Sequence, residues 1–241
     1  MVSVTPYYDD GSCVIYHGRC EDVLPSLPQV DLVFTSPPYN LGRTSGAYAN
    51  MRDGYDEHDD AMPDKEYIAW QKRVLDLLWR RLSPTGAIFY NHKPIQREGR
   101  VLLPTRLLPG NVELRQVIVW DRGVGMNWSA SHFCPQQEWI LLLGRPQFRL
   151  RSRGASSPGD VWTVPIEQDR GVDHPCAFPL ALPARAIEAT GPSVVLDPFL
   201  GSGTTLRAAK DAGVRGIGIE ISERYCEIAA KRLAQEVLAF G

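Results

Sequence analysis

VVLDPFLGSGTT, residues 194–205, decides the fold. Three apolar residues of strand length run into Asp197, then a turn holding Gly201 and Gly203, then a segment, TTLRAAKDAG (204–213), that reads as a helix closed by a glycine. Strand, acid, glycine turn and helix form a half-unit of a nucleotide-binding sheet. The glycines allow a tight turn and close backbone approach, and the free N–H groups of the helix start face the ligand. Glu220 ends the next strand, RGIGIE (215–220), where a carboxylate can bind two ribose hydroxyls. No Lys follows the glycines, so this is not a phosphate loop of the GxxxxGK[ST] kind. Leu206 stands where a dinucleotide loop needs its third glycine. A nucleoside ligand without a pyrophosphate fits better, and S-adenosylmethionine is one.

Working outward, CVIY (13–16), DLVFT (31–35), AIFY (87–90), LRQVIVW (114–120) and EWILLL (138–143) read as further strands. KEYIAWQKRVLDLLWRRL (65–82) is the clearest amphipathic helix, ALPARAIEAT (181–190) a second, and SERYCEIAAKRLAQEVL (222–238) the last. HGRCEDVLPSLPQV (17–30) reads as a turn, a short helix and a second turn, SPTG (83–86) as a turn, and Arg97 to Leu108 as a helix interrupted by Pro104. Alternating strands and helices imply an α/β fold, a Rossmann-like three-layer sandwich on a mostly parallel sheet. The chain of 241 residues reads as a single domain, 1–241. Within it, 41–63 is a mobile loop and the Gly-, Pro- and Arg-rich stretch 144–173 a small insertion.

Composition narrows the class. Hydrophobic content of 44% is that of a soluble protein, and no run reaches the ~18 apolar residues of a membrane span. The polar start MVSVTPYYDDGS lacks a signal-peptide core, so a cytoplasmic location is expected. Cys13, Cys20, Cys134, Cys176 and Cys226 form no CxxC pair and no metal-ligand spacing, so no metal is expected. A net charge of −2 announces no nucleic-acid partner, which local patches would have to meet. Arg145, Arg149, Arg151 and Arg153 form a basic run, Lys93, Arg97 and Arg100 a weaker one. Asp53, Asp56, Glu57, Asp59, Asp60 and Asp64 make an acidic stretch against them.

The second motif is DLVFTSPPYN (31–40), an apolar strand ending in Thr-Ser, two prolines, a tyrosine and Asn40. Alone it is a Pro-rich turn. Together, Ser36-Pro37-Pro38-Tyr39 and Asp197-Pro198-Phe199-Leu200-Gly201-Ser202-Gly203, in that order, resemble the amino-methyltransferases of DNA. The resemblance covers about residues 13 to 235 and is to the circularly permuted β class, whose cofactor loop comes late in the chain. It implies a seven-stranded sheet, S-adenosyl-L-methionine as cofactor, and methyl transfer to the exocyclic amine of a base flipped from double-stranded DNA. By resemblance, Ser36 Oγ and the Pro37 carbonyl accept the amine hydrogens, and Tyr39 stacks on the extruded base. The prolines preorganise those acceptors.

The resemblance also assigns the cofactor site to Asp197, Pro198, Phe199, Gly201, Ser202, Gly203, Thr204, Thr205 and Glu220. Relatives carry Gly-Asp after the first strand, where this chain has Gly18-Arg19, so Asp22 or backbone near Cys20 takes the adenine contact. Phe178-Pro179 replaces a Lys-Pro of adenine enzymes, which shifts work on the methionine carboxylate to Ser202, Thr204 or Thr205. Arg145, Arg149, Arg151 and Arg153 fall where the family keeps its target-recognition region. Thr-Ser-Pro-Pro-Tyr favours cytosine N4 as target, with adenine N6 the alternative. An RNA or protein amine/amide methyltransferase is more distant, because its cofactor motif comes first. A homodimer and a cognate restriction enzyme are partners the family allows. Pro175-Cys176 is a decoy, since a carbon-5 enzyme needs its cofactor site upstream of the cysteine.

Overall fold

The computed structural model describes residues 5–41, 60–97, 99–125, 129–166 and 178–235. Its strands are β1 (Tyr8–Asp9), β2 (Cys13–His17), β3 (Val30–Thr35), β4 (Leu82–His92), β5 (Ile95–Arg97), β6 (Arg100–Leu102), β7 (Leu114–Asp121), β8 (Gln137–Gly144), β9 (Val161–Thr163), β10 (Val194–Asp197) and β11 (Arg215–Glu220). The helices are α1 (Cys20–Val23), α2 (Asp64–Arg81), α3 (Ala181–Thr190), α4 (Thr204–Asp211) and α5 (Glu223–Ala234).

One sheet runs β1-β2-β11-β10-β3-β4-β8-β7-β9. Its central strands β2, β11, β10, β3 and β4 are all parallel, and β8 is antiparallel to both β4 and β7. The seven expected strands form the interior. The sheet has nine because β1 and β9 add short pairings at its two edges. Strands of two or three residues have too little alternation to read from sequence, but they cover edges that would otherwise expose unpaired backbone.

Helix α2 buries Tyr67, Trp70, Gln71, Val74, Leu75 and Leu78, one stripe of a 3.6-residue period. That stripe packs on Val33, Tyr90, Leu141, Leu196 and Ile219. The alternate residues Leu32, Phe34, Ala87, Phe89, Ile140 and Val195 face α3 and α4 on the other side. Ala229 and Leu233 of α5 cover Cys13, Ile15 and Leu206. These layers are the expected three-layer sandwich.

Two local expectations change. Residues 97–108 form no helix: β5 and β6 make a hairpin, and a 3-10 turn follows at Pro104–Leu107. Pro104 lacks the N–H a continuing helix needs. Ser83–Gly86 lie inside β4 as an irregularity, where pairing jumps from Val30↔Leu82 to Leu32↔Ala87. Gly86 is required there, since a Cβ would sit 3.0 Å from the Asp31 carbonyl. Of the expected mobile loop, 42–59 lie outside the described residues.

Candidate active site

The carboxyl ends of β3, β4, β10 and β11 share one edge of the sheet, where α/β folds place their ligands. Asp197, at the end of β10, is fully buried. Its Oδ1 accepts from Thr35 Oγ1 (2.8 Å) and the Phe199 N–H (3.1 Å), its Oδ2 from Thr205 Oγ1 (2.7 Å). Burial pushes its pKa up to about 6, against the pull of those three donors. Asp197 therefore brackets the end of β3 to the glycine loop. Thr35 has no signal of its own in the sequence beyond standing before Ser36.

The loop turns through Gly201 (φ +52°) and Gly203 (φ +88°). A Cβ on Gly203 would lie 3.0 Å from that of Ala229 on α5. Glu220 is buried and accepts the Gly201 N–H (2.7 Å) and the Ser222 N–H (2.9 Å) on its two oxygens. A carboxylate offers about four acceptor sites, enough to hold these N–H groups and a vicinal diol together. Phe199, half-buried beside the loop, meets Trp70 edge-on with centroids 5.7 Å apart. A carboxylate, a glycine turn and an aromatic wall form a donor set that fits a nucleoside.

Other cofactor candidates divide. Ser202 and Thr204 are buried, and Thr204 Oγ1 accepts from Arg232 (3.1 Å). Thr205 turns inward, donating to Asp197 and facing the Phe34 carbonyl at 3.4 Å. The Thr205 hydroxyl thus holds the Asp197 carboxylate. Cys20 is buried, while Asp22 is exposed. Its neighbour Glu21 turns in instead, accepting from Trp70 Nε1 at 2.7 Å. Burial raises the Glu21 carboxyl, but hydrogen bonds from its own backbone, Trp70 and Cys20, with Arg19 close by, bring it below its ordinary value. Phe178 packs on Phe34 at 5.2 Å between centroids.

Ser36, Pro37, Pro38 and Tyr39 leave β3 beside this loop. Ser36 Oγ lies 2.7 Å from Tyr39 Oη, which donates to Glu138 Oε2 at 2.9 Å. Asn91 Nδ2 donates to Tyr39 Oη (2.8 Å) and Glu138 Oε2 (3.0 Å). One face of the Tyr39 ring covers His92, centroids 4.5 Å apart. The Pro38 carbonyl accepts from Tyr67 Oη (2.8 Å) and Gln71 Nε2 (3.4 Å) of α2. Tyr67 also meets His92 Nε2 at 2.7 Å, and burial lowers the His92 pKa to about 4. Asn40 takes φ +57°, a left-handed position that asparagine tolerates. Its amide bonds both ways with Met62, while Asp60 accepts the Asn40 and Leu41 N–H groups. Asp60 of the acidic stretch thus ties off the stem of the loop.

Glu138, Asn91 and Gln71 went unread in the sequence. A buried polar residue inside an apolar strand or stripe was the available signal.

The arginine run is not brought to this site. Gly144 pairs with Ala87 at the opposite end of β4 from His92, and the Arg145 N–H binds the Gly86 carbonyl. Arg145 lies over Trp79, 4.6 Å from the ring centre, and donates to the Trp79 carbonyl. Arg151 packs on Gly191, at the C-terminal end of α3. The run of Arg145, Arg149, Arg151 and Arg153 crosses the amino ends of the parallel strands, opposite the edge that carries Ser36 and Asp197. Beyond it, β9 pairs in parallel with β7 and carries the chain back toward the site edge. Residues 167–177, including Cys176, lie outside the described residues. Lys93 sits at the site, its Nζ 5.8 Å from the Tyr39 ring centre. Among the described residues no His, Cys, Asp and Glu group could hold a metal ion, and no helix is long and apolar enough to cross a membrane.

This fold and site define a Rossmann-like transferase with a nucleoside loop beside a Ser-Pro-Pro-Tyr loop. The family model of the N6/N4 type described as DNA methylase matches residues 30–231. The chain belongs to this family, the DNA amino-methyltransferases. It is 31% identical to the type II methyltransferase M.ScaI of Streptomyces caespitosus, over 96% of this chain and 84% of that one. It is 30% identical to M.HpaI of Haemophilus parainfluenzae, over 88% and 70%. Among solved structures, PvuII DNA methyltransferase (cytosine-N4-specific) shares the fold at TM-score 0.79 and 20% identity, over 97% of this chain and 90% of that one. A Thermus thermophilus protein described as a DNA modification methylase, complexed with S-adenosyl-L-methionine, aligns at TM-score 0.66 and 26% identity, over 94% and 95%.

Proposed function

We propose that this chain transfers the methyl group of S-adenosyl-L-methionine to an exocyclic amine of a base flipped from duplex DNA, cytosine N4 in preference to adenine N6. The observation that carries the reading is the Asp197 bracket, which sets the Ser36 loop against the glycine loop through Thr35 and Thr205. Glu220, Phe199 and the 201–203 turn would hold the nucleoside half of the cofactor. That group supplies an activated methyl, so no metal or covalent enzyme intermediate is needed.

The chain's own task is positioning. An exocyclic amine is a poor nucleophile because its lone pair is delocalised into the ring. Ser36 Oγ and the Pro37 carbonyl take its two hydrogens and localise that pair. The Tyr39 ring would stack on the base, worth about 1–3 kcal/mol against an unstacking cost of a few. Holding the amine about 3–3.5 Å from the methyl carbon is then most of the catalysis. The bond from nitrogen to the methyl carbon would form as the carbon–sulfur bond breaks, the electron pair leaving on sulfur as the neutral thioether S-adenosylhomocysteine, and the surplus proton on nitrogen would pass to solvent water. Lys93 beside Tyr39, and Arg100 on the hairpin that follows it, would meet phosphates.

Ser36 where many adenine enzymes of this resemblance carry Asp supports cytosine. The type II relatives support pairing with a restriction enzyme, and a homodimer is the assembly we expect. Mass spectrometry of nucleosides from DNA treated with the purified protein decides the target. N4-methylcytosine is the expected product. N6-methyladenine alone would reverse the choice of base, and no methylated base would reject the reaction.

A further inference from the structure

A buried polar chain runs inward from Ser36, and its donors and acceptors can be counted. Glu138 on β8 is 7% exposed and Asn91 on β4 is 1% exposed. Both stand at the carboxyl end of the sheet face that carries Phe34 and Phe89. The Glu138 carboxylate accepts from Tyr39 Oη (2.9 Å), Asn91 Nδ2 (3.0 Å) and Arg122 Nη1 (3.2 Å). An ionised carboxylate only accepts, so the one hydroxyl hydrogen of Tyr39 lies on the Glu138 side. Ser36 Oγ is 2.7 Å from the same Tyr39 oxygen. With the tyrosine hydrogen committed, the serine must donate in that bond. Its oxygen then faces outward as an acceptor, with Asn91 Nδ2 touching it only at 3.4 Å.

We propose that Glu138 is a positioning residue that fixes the polarity of the Ser36 hydroxyl, through Tyr39, as an acceptor for the target amine. The inference rests on the amine-methylation reading above. A hydroxyl can point its hydrogen either way. Pointed at the amine, that hydrogen would cover the lone pair that must attack. A carboxylate at position 36 would accept by nature; a serine there needs its direction imposed. Arg122 pairs with the Glu138 carboxylate at 3.2 Å and donates to the Pro135 carbonyl at 2.8 Å, which fixes the carboxylate in place. Asn91 is turned nitrogen-inward by three facing oxygens, which leaves its Oδ1 buried without a donor. A buried acceptor left without a partner is the mark of an arrangement held by the carboxylate rather than by the amide's own preference.

The test is Glu138→Gln in the full chain. The Gln amide can donate to Tyr39 Oη, which frees the tyrosine to donate to Ser36 and reverses the chain. We expect kcat to fall about 100-fold, the scale of losing one preorganised polar contact to a reacting group. The KM for duplex and the cofactor Kd should stay within about twofold of wild type, since neither is held by this group. Glu138→Asp keeps a carboxylate and should recover part of the rate. Tyr39→Phe, which keeps the ring, should lose kcat alike, and the double variant Tyr39→Phe/Glu138→Gln should fall no further than the worse single. Should Glu138→Gln not fold, Tyr39→Phe against Glu138→Asp carries the same expectation. Wild-type kcat in Glu138→Gln, or losses that add in the double variant, would overturn the role of Glu138 alone. No methylated base from the folded wild type would overturn the underlying reaction as well.

Discussion

Asp197 shows what a residue does here that its motif does not announce. It reads as a cofactor acid, yet its oxygens are held by Thr35, Thr205 and the Phe199 N–H. Thr35→Val removes one buried donor without changing shape. It should destabilise the protein by about 1–3 kcal/mol, read from the urea midpoint, because a buried carboxylate loses a partner it cannot replace with water. An unchanged midpoint would mean that Thr35 Oγ1 does not hold the carboxylate. Glu220 is the complementary case, with backbone partners at the edge of the cleft. Glu220→Ala should weaken S-adenosylmethionine binding by about 1.5–3 kcal/mol, the range for hydrogen bonds to a charged group. Calorimetry on the folded variant that finds wild-type affinity would reject the ribose assignment.

At the scale of elements, α2 is more than a cover for the sheet. Its stripe carries Tyr67 and Gln71, and through them it holds the Pro38 carbonyl and His92 from below. Burial keeps His92 neutral, with a pKa lowered from 6.5 to about 4. A depressed histidine contributes stability that is whole above the unfolded value and is lost as pH falls toward the folded one. Between pH 6.5 and 4 the loss should reach about 3 kcal/mol, at 1.36 kcal/mol per unit. Denaturation midpoints of wild type and His92→Gln across that window isolate it from the carboxylates, which both proteins share. Parallel pH slopes for the two would show that His92 does not titrate in this way. The amphipathic period of α2 was legible from 65–82, and so was the strand before Ser36. The contacts between them were not, because a helix period says which side faces inward but not which loop lies beneath it.

For the whole molecule the question is which edge meets DNA. The arginine run at 145–153 crosses the amino ends of the parallel strands, while Lys93 stands at the carboxyl end of β4 beside Tyr39, with the β5–β6 hairpin and Arg100 next in the chain. Each phosphate contact contributes about 0.9 to the slope of log affinity against log salt. Lys93→Ala with Arg100→Ala should therefore flatten that slope by about two contacts. Arg149→Ala, Arg151→Ala and Arg153→Ala together should leave it unchanged. A flattened slope in the triple variant alone would put the DNA on the other edge.

Sequence by itself determined the strand–helix alternation, the order of the two motifs and the turn at Gly201 and Gly203. These are local properties: periodicity, glycines where the backbone turns left-handed, and prolines that stiffen a strand end. Only tertiary structure decided that Asp197 and Thr35 share a hydrogen, 162 positions apart in the chain. It also decided that Glu138 of a late strand bonds Tyr39, and that the arginine run lies at the amino ends of the parallel strands. Parallel pairing brings distant strand ends to one edge, and an antiparallel strand such as β8 presents its start there and its end at the other. The side on which a charge emerges is set by strand direction, and no local pattern carries that information.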